Sequence, residues 1–175
     1  MIIAIGLAGA LIIAYLASNA KGTVSSVVYP QISPEMEKAG PRIVYPDAKR
    51  TPGMTNPDIT QMRIQDTICN PAWSTRSIRP TSSYTTRLKR QQMEELGLDG
   101  SIRDYEEDHL IPLELGGNPT DPRNLWPESY ISPGAREKDR VENYLHKQVC
   151  AGTMSLQDAQ DAIVSDWYKV YLQLQ

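Results

Sequence analysis

Apolar and polar positions are spread very unevenly along this chain. Residues 2–17 form an almost unbroken apolar run, and residues 1–20 hold 16 hydrophobic side chains and no charged one. Such a run is longer than the usual apolar core of a signal peptide and slightly short for a spanning helix. Residues 21–59 show no apolar period. Pro30, Pro34, Pro41, Pro46, Pro52 and Pro57 punctuate them, which predicts an extended proline-rich linker or a strap along a domain. Regular structure is expected from Thr60 onward. A short helix over residues 60–68 is capped by Asp58 or Thr60, and a helix over Thr86–Leu96 is stopped by Gly97. Leu110-Ile111-Pro112-Leu113 reads as a short strand whose proline marks an edge or bend. Gly116-Gly117 is a turn, and Asn118–Arg123 a loop. Two helices close the chain. The first opens on Ser132-Pro133, carries Val141, Leu145 and Val149 on one face, and ends near Cys150. The second opens on Ser155, with Asp158 completing an approximate capping box, and its apolar face is Leu156, Ala159, Ile163, Trp167, Val170 and Leu174. The pattern is α+β, with one domain over residues 60–175.

Composition narrows the classes. The chain has 175 residues, 18 Lys and Arg, 21 Asp and Glu, and no Phe. No second run approaches the roughly 20 apolar residues of a spanning helix, which excludes a polytopic membrane protein. The net charge of −3 argues against a globally basic nucleic-acid binder. Two Cys and two His exclude any His/Cys zinc site beyond those four residues. Residues 1–20 are a signal peptide cleaved before Lys21, an uncleaved membrane anchor, or a buried helix. The first two place the rest of the chain outside the cytoplasm, periplasmic or secreted, with membrane contact only through residues 1–20. Cys69 and Cys150 then read as a disulfide, ahead of two separate buried thiols.

Charge is strongly patterned. Residues 67–93 hold five bases, Arg76, Arg79, Arg87, Lys89 and Arg90, and no acid. From Glu94 to Glu114 eight acids face one base, Arg103. The two segments are either a positive flank beside an acidic pocket, suited to a phosphate chain next to a cation, or two solvated faces that balance each other. The five bases are the candidates for gripping nucleic acid phosphates.

The chemistry concentrates in Tyr105-Glu-Glu-Asp-His-Leu-Ile-Pro-Leu-Glu-Leu-Gly-Gly and the following Asn118-Pro-Thr-Asp-Pro-Arg-Asn-Leu-Trp-Pro-Glu. Asp108 is a hard oxygen ligand suited to Mg²⁺ or Mn²⁺. His109 is a base that is neutral near pH 7. A glycine pair reverses the chain, and Asn124 returns beside the strand. Acid, base and amide on two arms of a turn are a kit for metal-assisted phosphodiester hydrolysis.

The order Asp-His, Ile-Pro-Leu, Gly-Gly, Asn-Leu resembles the HNH nucleases of the ββα-metal superfamily, and most closely a group of small, often exported bacterial HNH-type proteins. Residues 108–125 carry the resemblance, which extends over roughly residues 105–150. It implies a ββα-metal hairpin and helix packed among further helices. Asp108 becomes a metal ligand, His109 the general base, and Asn124 the residue that ties the loop to the strand. The third position departs from the family. Where a His or Asn is usual, this chain reads Ser132-Pro-Gly-Ala-Arg-Glu-Lys-Asp-Arg. Asp139 and Glu142, on one helical face with His146, are the substitutes, ahead of Glu137, unless water fills the place. His146 itself reads as structural or exposed, and Trp126 as a core residue. The expected activity is a metal-dependent endonuclease with Mg²⁺, or else Mn²⁺ or Zn²⁺, acting on DNA rather than RNA with little sequence specificity. The alternatives are an exported or tethered HNH-like binding module without catalysis, and a hydrolase of another phosphodiester such as a cell-envelope polymer.

Overall fold

The computed structural model describes residues 41–175, so the candidate export or anchor segment 1–20 and the first part of the proline-rich stretch lie outside the described residues. The described residues form an α+β fold with three α-helices and one two-stranded antiparallel hairpin. In chain order these are α1 (Ser82–Glu95), β1 (Tyr105–His109), β2 (Leu125–Ser129), α2 (Ala135–Cys150) and α3 (Leu156–Leu172). None is long and apolar enough to cross a membrane.

The strand lies five residues upstream of the expected one. β1 is the acidic Tyr105–His109 stretch, with Tyr105, Glu107 and His109 buried and Glu106 and Asp108 half-buried between them. The apolar run that follows is instead a core-filling turn, with a single 3₁₀ turn at Leu113–Leu115 ending on Gly116 at φ +74°. Apolar content marked the core position and hid the strand, whose alternation is carried by acids. β1 pairs with β2 from Tyr105↔Ser129 to His109↔Leu125. Gly117 must be glycine for steric reasons, because a Cβ there would lie 1.7 Å from the Ile111 carbonyl oxygen.

α1 begins four residues before the expected start. Thr81 caps it, its hydroxyl accepting from the Tyr84 amide, and Gly97 lies beyond its end at φ +57°. α2 begins at Ala135 rather than at Pro133. Gly134 packs so tightly on the end of β2 that a Cβ would sit 2.0 Å from the Ser129 oxygen. The Glu137 carboxylate accepts from the Gly134 amide at 2.9 Å and closes the helix start. α3 follows its cap Ser155 as expected, and is interrupted at Asp166, whose carboxylate accepts from the Lys169 amide.

Residues 51–59 are integral to the packed unit. Gly53 donates to Arg123 O, Asn56 to Gly116 O, and Thr55 bridges Gly117, so this stretch runs along the loop between the strands. Ile59, Ile64 and Ile68 enter one apolar core with Ile111, Leu115 and the inner faces of α2 and α3. Trp167 and Leu side chains supply the bulk that Phe provides elsewhere. The disulfide Cys69–Cys150 joins the end of this early segment to the end of α2, across 81 residues. A loop of that size gives about 4 kcal/mol in the chain-entropy view.

Candidate functional site

The loop between β1 and β2 is held from inside by one side chain. Asn124 is fully buried. Its Oδ1 accepts from the amides of Ile111 (3.0 Å) and Met54 (3.3 Å), and its Nδ2 donates to the carbonyls of Ile111 and Asn118, both at 3.0 Å. An amide side chain is the residue type that can satisfy two donors and two acceptors at once. Asn124 therefore ties the turn after His109 to the return loop and to the early segment.

His109 closes β1 and lines a cleft of about 390 Å³ with Arg79, Lys89, Glu106, Glu107 and Tyr130. Its Nε2 lies 3.0 Å from the Pro119 carbonyl. A carbonyl only accepts, so Nε2 carries the ring proton and Nδ1 presents a lone pair. Burial holds its pKa below the usual histidine value, against the opposing pull of the Pro119 hydrogen bond and Asp108. The ring is thus neutral at pH 7, with Nδ1 unprotonated.

Asp108 meets a cation that belongs to the chain itself. The Lys138 side chain has no solvent exposure, and its Nζ lies 2.7 Å from Asp108 Oδ2. It also donates to the His109 carbonyl at 2.8 Å and to Glu142 Oε1, and sits over the Trp126 ring. Burial works against the charged ammonium, but Asp108, Glu142 and Glu128 more than offset it and hold its pKa above the usual lysine value. Burial pushes the Glu142 carboxyl up and Lys138 pulls it back down, while burial with the Asp108 charge pushes Glu128 up. In β1, burial pushes Glu107 up to about 8, and neither of its carboxyl oxygens has a hydrogen-bond partner. Tyr130 donates to Glu106 Oε2 at 3.1 Å.

This arrangement limits what the residues could hold. Among the described residues, the carboxylates of Asp108, Asp139 and Glu142 do not form a group whose ligand atoms lie within 4.8 Å of one another. Glu142 is taken up by Lys138, and Asp139 is exposed. The Asp108 carboxylate is engaged by Lys138 through Oδ2 and lies close to Glu128. A Zn²⁺ site needing three protein ligands does not fit this set. Mg²⁺ makes no such demand, since one or two carboxylates and several waters suffice for it, but Asp108 already faces the Lys138 ammonium.

The basic residues divide by position. Arg79 and Lys89 line the His109 cleft, Lys89 also donating to Tyr105 O at 2.6 Å. Arg87 and Arg90 line a neighbouring hollow that shares Ser82 and Thr86 with the cleft. Arg76, on the preceding 3₁₀ turn Thr75–Ser77, lines neither. His146 is away from the site, its Nε2 bonded to Ile68 O at 2.8 Å, and Trp126 is buried.

Sequence reasoning passed over Lys138, Glu107 and Glu128. For Lys138 a signal was available. It stands on the stripe Ala135, Val141, Leu145, Val149 that forms the buried face of α2, and a lysine there needs anionic partners. Glu107 and Glu128 carried none, because their burial follows from the pairing of β1 with β2. Comparison of the chain with protein-family models, with curated proteins and with solved structures gave no match.

Proposed function

We propose that this chain hydrolyses nucleic acid phosphodiester bonds at an HNH-like ββα site, with His109 as general base. The observation that carries the reading is the His109 Nε2–H bond to Pro119, which leaves Nδ1 unprotonated in a residue that lines a cleft with Arg79 and Lys89. Nδ1 takes a proton from water as the water oxygen bonds to phosphorus. The bond from phosphorus to the departing oxygen breaks, and that oxygen is protonated from solvent. Arg79 and Lys89 hold the charge of the non-bridging oxygens. Asn124 fixes the turn that follows the base. Lys138 positions both the Asp108 carboxylate and the His109 backbone. Asp108 would hold Mg²⁺, and such an ion would supply charge neutralisation at the phosphate. DNA is the expected substrate, with backbone phosphates rather than base edges as the groups gripped. The disulfide is compatible with an exported protein.

One observation favours a second reading. Lys138 already neutralises Asp108, as it would in an HNH-like binding module that has lost catalysis. Supercoiled plasmid incubated with the purified full-length chain, kept in mild detergent because of its apolar N-terminus, separates the two. Nicking with Mg²⁺ that EDTA and His109→Ala both abolish is expected. A His109→Ala protein that nicks at the wild-type rate overturns the base assignment. Inert wild-type protein leaves the binding module.

A further inference from the structure

The phosphodiester reading makes no use of the far end of α2, where three ligand-bearing side chains meet. Cys150 follows His146 by one helical turn, so both point from the same face, and Cys69 arrives from the early segment 81 residues away. The Cys150 Sγ lies 3.4 Å from His146 Nε2, and the ligand atoms of all three residues lie within 4.8 Å of one another. Among the described residues no other three His, Cys or carboxylate groups converge in this way. All three are half-buried. The Glu114 carboxyl is close enough to His146 for the two to interact electrostatically, and its buried Oε1 has no hydrogen-bond partner.

Tetrahedral zinc, with bonds of about 2.3 Å to sulfur and about 2.0–2.1 Å to nitrogen, sets neighbouring donor atoms roughly 3.5 Å apart. The sulfur–nitrogen pair already has that spacing. The two sulfurs are covalently joined, so in the oxidised chain no thiolate is present to bind a metal.

We propose that reduction of Cys69–Cys150 turns this cluster into a Zn²⁺ site formed by Cys69, His146 and Cys150, so that the chain can be cross-linked at one place either by a disulfide or by a metal. The steps balance. A dithiol reduces the disulfide to two thiols and is itself oxidised to a cyclic disulfide. Zn²⁺ then displaces the two thiol protons. His146 shifts its remaining proton to Nδ1, gives up its bond to Ile68 O, and coordinates through Nε2. Two thiolates and an imidazole are a soft donor set that selects zinc over magnesium. A fourth position stays open to water. Because the metal clips the same 81-residue loop, it stabilises the reduced fold, as coordination does wherever the unfolded chain lacks a preformed site. This site is independent of the proposed hydrolysis.

Co²⁺ is the probe. The full-length chain is reduced with a phosphine under nitrogen, desalted and titrated. The reduced protein is expected to take up one Co²⁺ per chain. It should show the thiolate-to-cobalt charge-transfer band and the visible bands of tetrahedral cobalt, and lose both on adding Zn²⁺. The oxidised protein should show neither. His146→Ala and His146→Gln are expected to weaken binding at least tenfold and alter the visible bands, with circular dichroism reporting that each variant is folded. Zn²⁺ should raise the thermal midpoint of the reduced chain and leave the oxidised one unchanged, which separates a native site from thiols binding metal in unfolded protein. The proposal is overturned if the reduced chain shows no tetrahedral bands. It is equally overturned if folded His146 variants bind as tightly as wild type, or if Zn²⁺ leaves the reduced midpoint where it was.

Discussion

Asn124 makes four hydrogen bonds to backbone groups from a fully buried position. Asn124→Ala orphans those groups without admitting water, so a loss of about 3 kcal/mol or more is expected in urea unfolding. Glu107 makes a pH prediction. Burial, with Asp108 adding and Lys89 opposing, raises its carboxyl from 4.5 to about 8. Between those values the folded chain holds a proton on Glu107 that the unfolded chain has lost, so stability falls as pH rises through this window. Above pH 8 the buried carboxylate is charged and the loss is complete, at less than about 5 kcal/mol. Urea midpoints at pH 5 and pH 8.5 should therefore differ less in Glu107→Gln than in wild type. An identical difference in the two proteins removes Glu107 as the source.

At the scale of elements, α2 carries the hairpin's countercharge. Its buried stripe is apolar except at Lys138, whose ammonium meets Asp108 of β1, Glu142 of its own helix and the His109 carbonyl. Removing one partner of such a cluster costs more than the cluster is worth, because the remaining carboxylates are left buried and unpaired. Lys138→Met is expected to destabilise by about 3–5 kcal/mol, measured by chemical unfolding. Lys138→Met combined with Glu142→Leu should recover part of that loss. A double variant no more stable than the single one excludes Glu142 as a charge that Lys138 compensates. The end of α1 at Gly97, the start of α3 at Ser155 and the Val141, Leu145, Val149 stripe of α2 were readable from local signals, whereas α1 and α2 start elsewhere than expected and the helix expected over 60–68 is only a 3₁₀ turn, Gln61–Arg63. The strand was not readable. Its side chains are acids, and its position is decided by pairing with β2.

For the whole molecule, net charge hides the local pattern. The −3 total conceals a basic segment folded against an acidic one. The fold sends Arg79 and Lys89 to the His109 cleft and Arg87 and Arg90 to the adjoining hollow. If phosphates follow that surface, affinity for a short DNA duplex falls with salt. Arg79→Ala and Arg87→Ala should each lower the salt slope by about one, in fluorescence anisotropy titrations. Arg76→Ala, outside both depressions, should leave the slope unchanged. Equal effects for all three would assign binding to overall charge rather than to this track.

Some of this protein was determined by sequence alone. The end of α1 before Gly97 and the start of α3 after Ser155 follow from a glycine and a capping residue, which act over three or four neighbours. The Asp108-His109 to Asn124 arrangement follows from short spacing around a glycine turn. Only the tertiary structure decided the rest. Residues 51–59 join the fold because Gly53 and Asn56 find backbone partners more than 50 positions away. Cys69 and Cys150 pair because the core brings α2 to the early segment. Asp108 faces an ammonium from 30 residues downstream, which separates it from Glu142 and Asp139 as a shared metal site. Burial makes each of these choices, since a charge or thiol removed from water must take the partner the packed chain supplies.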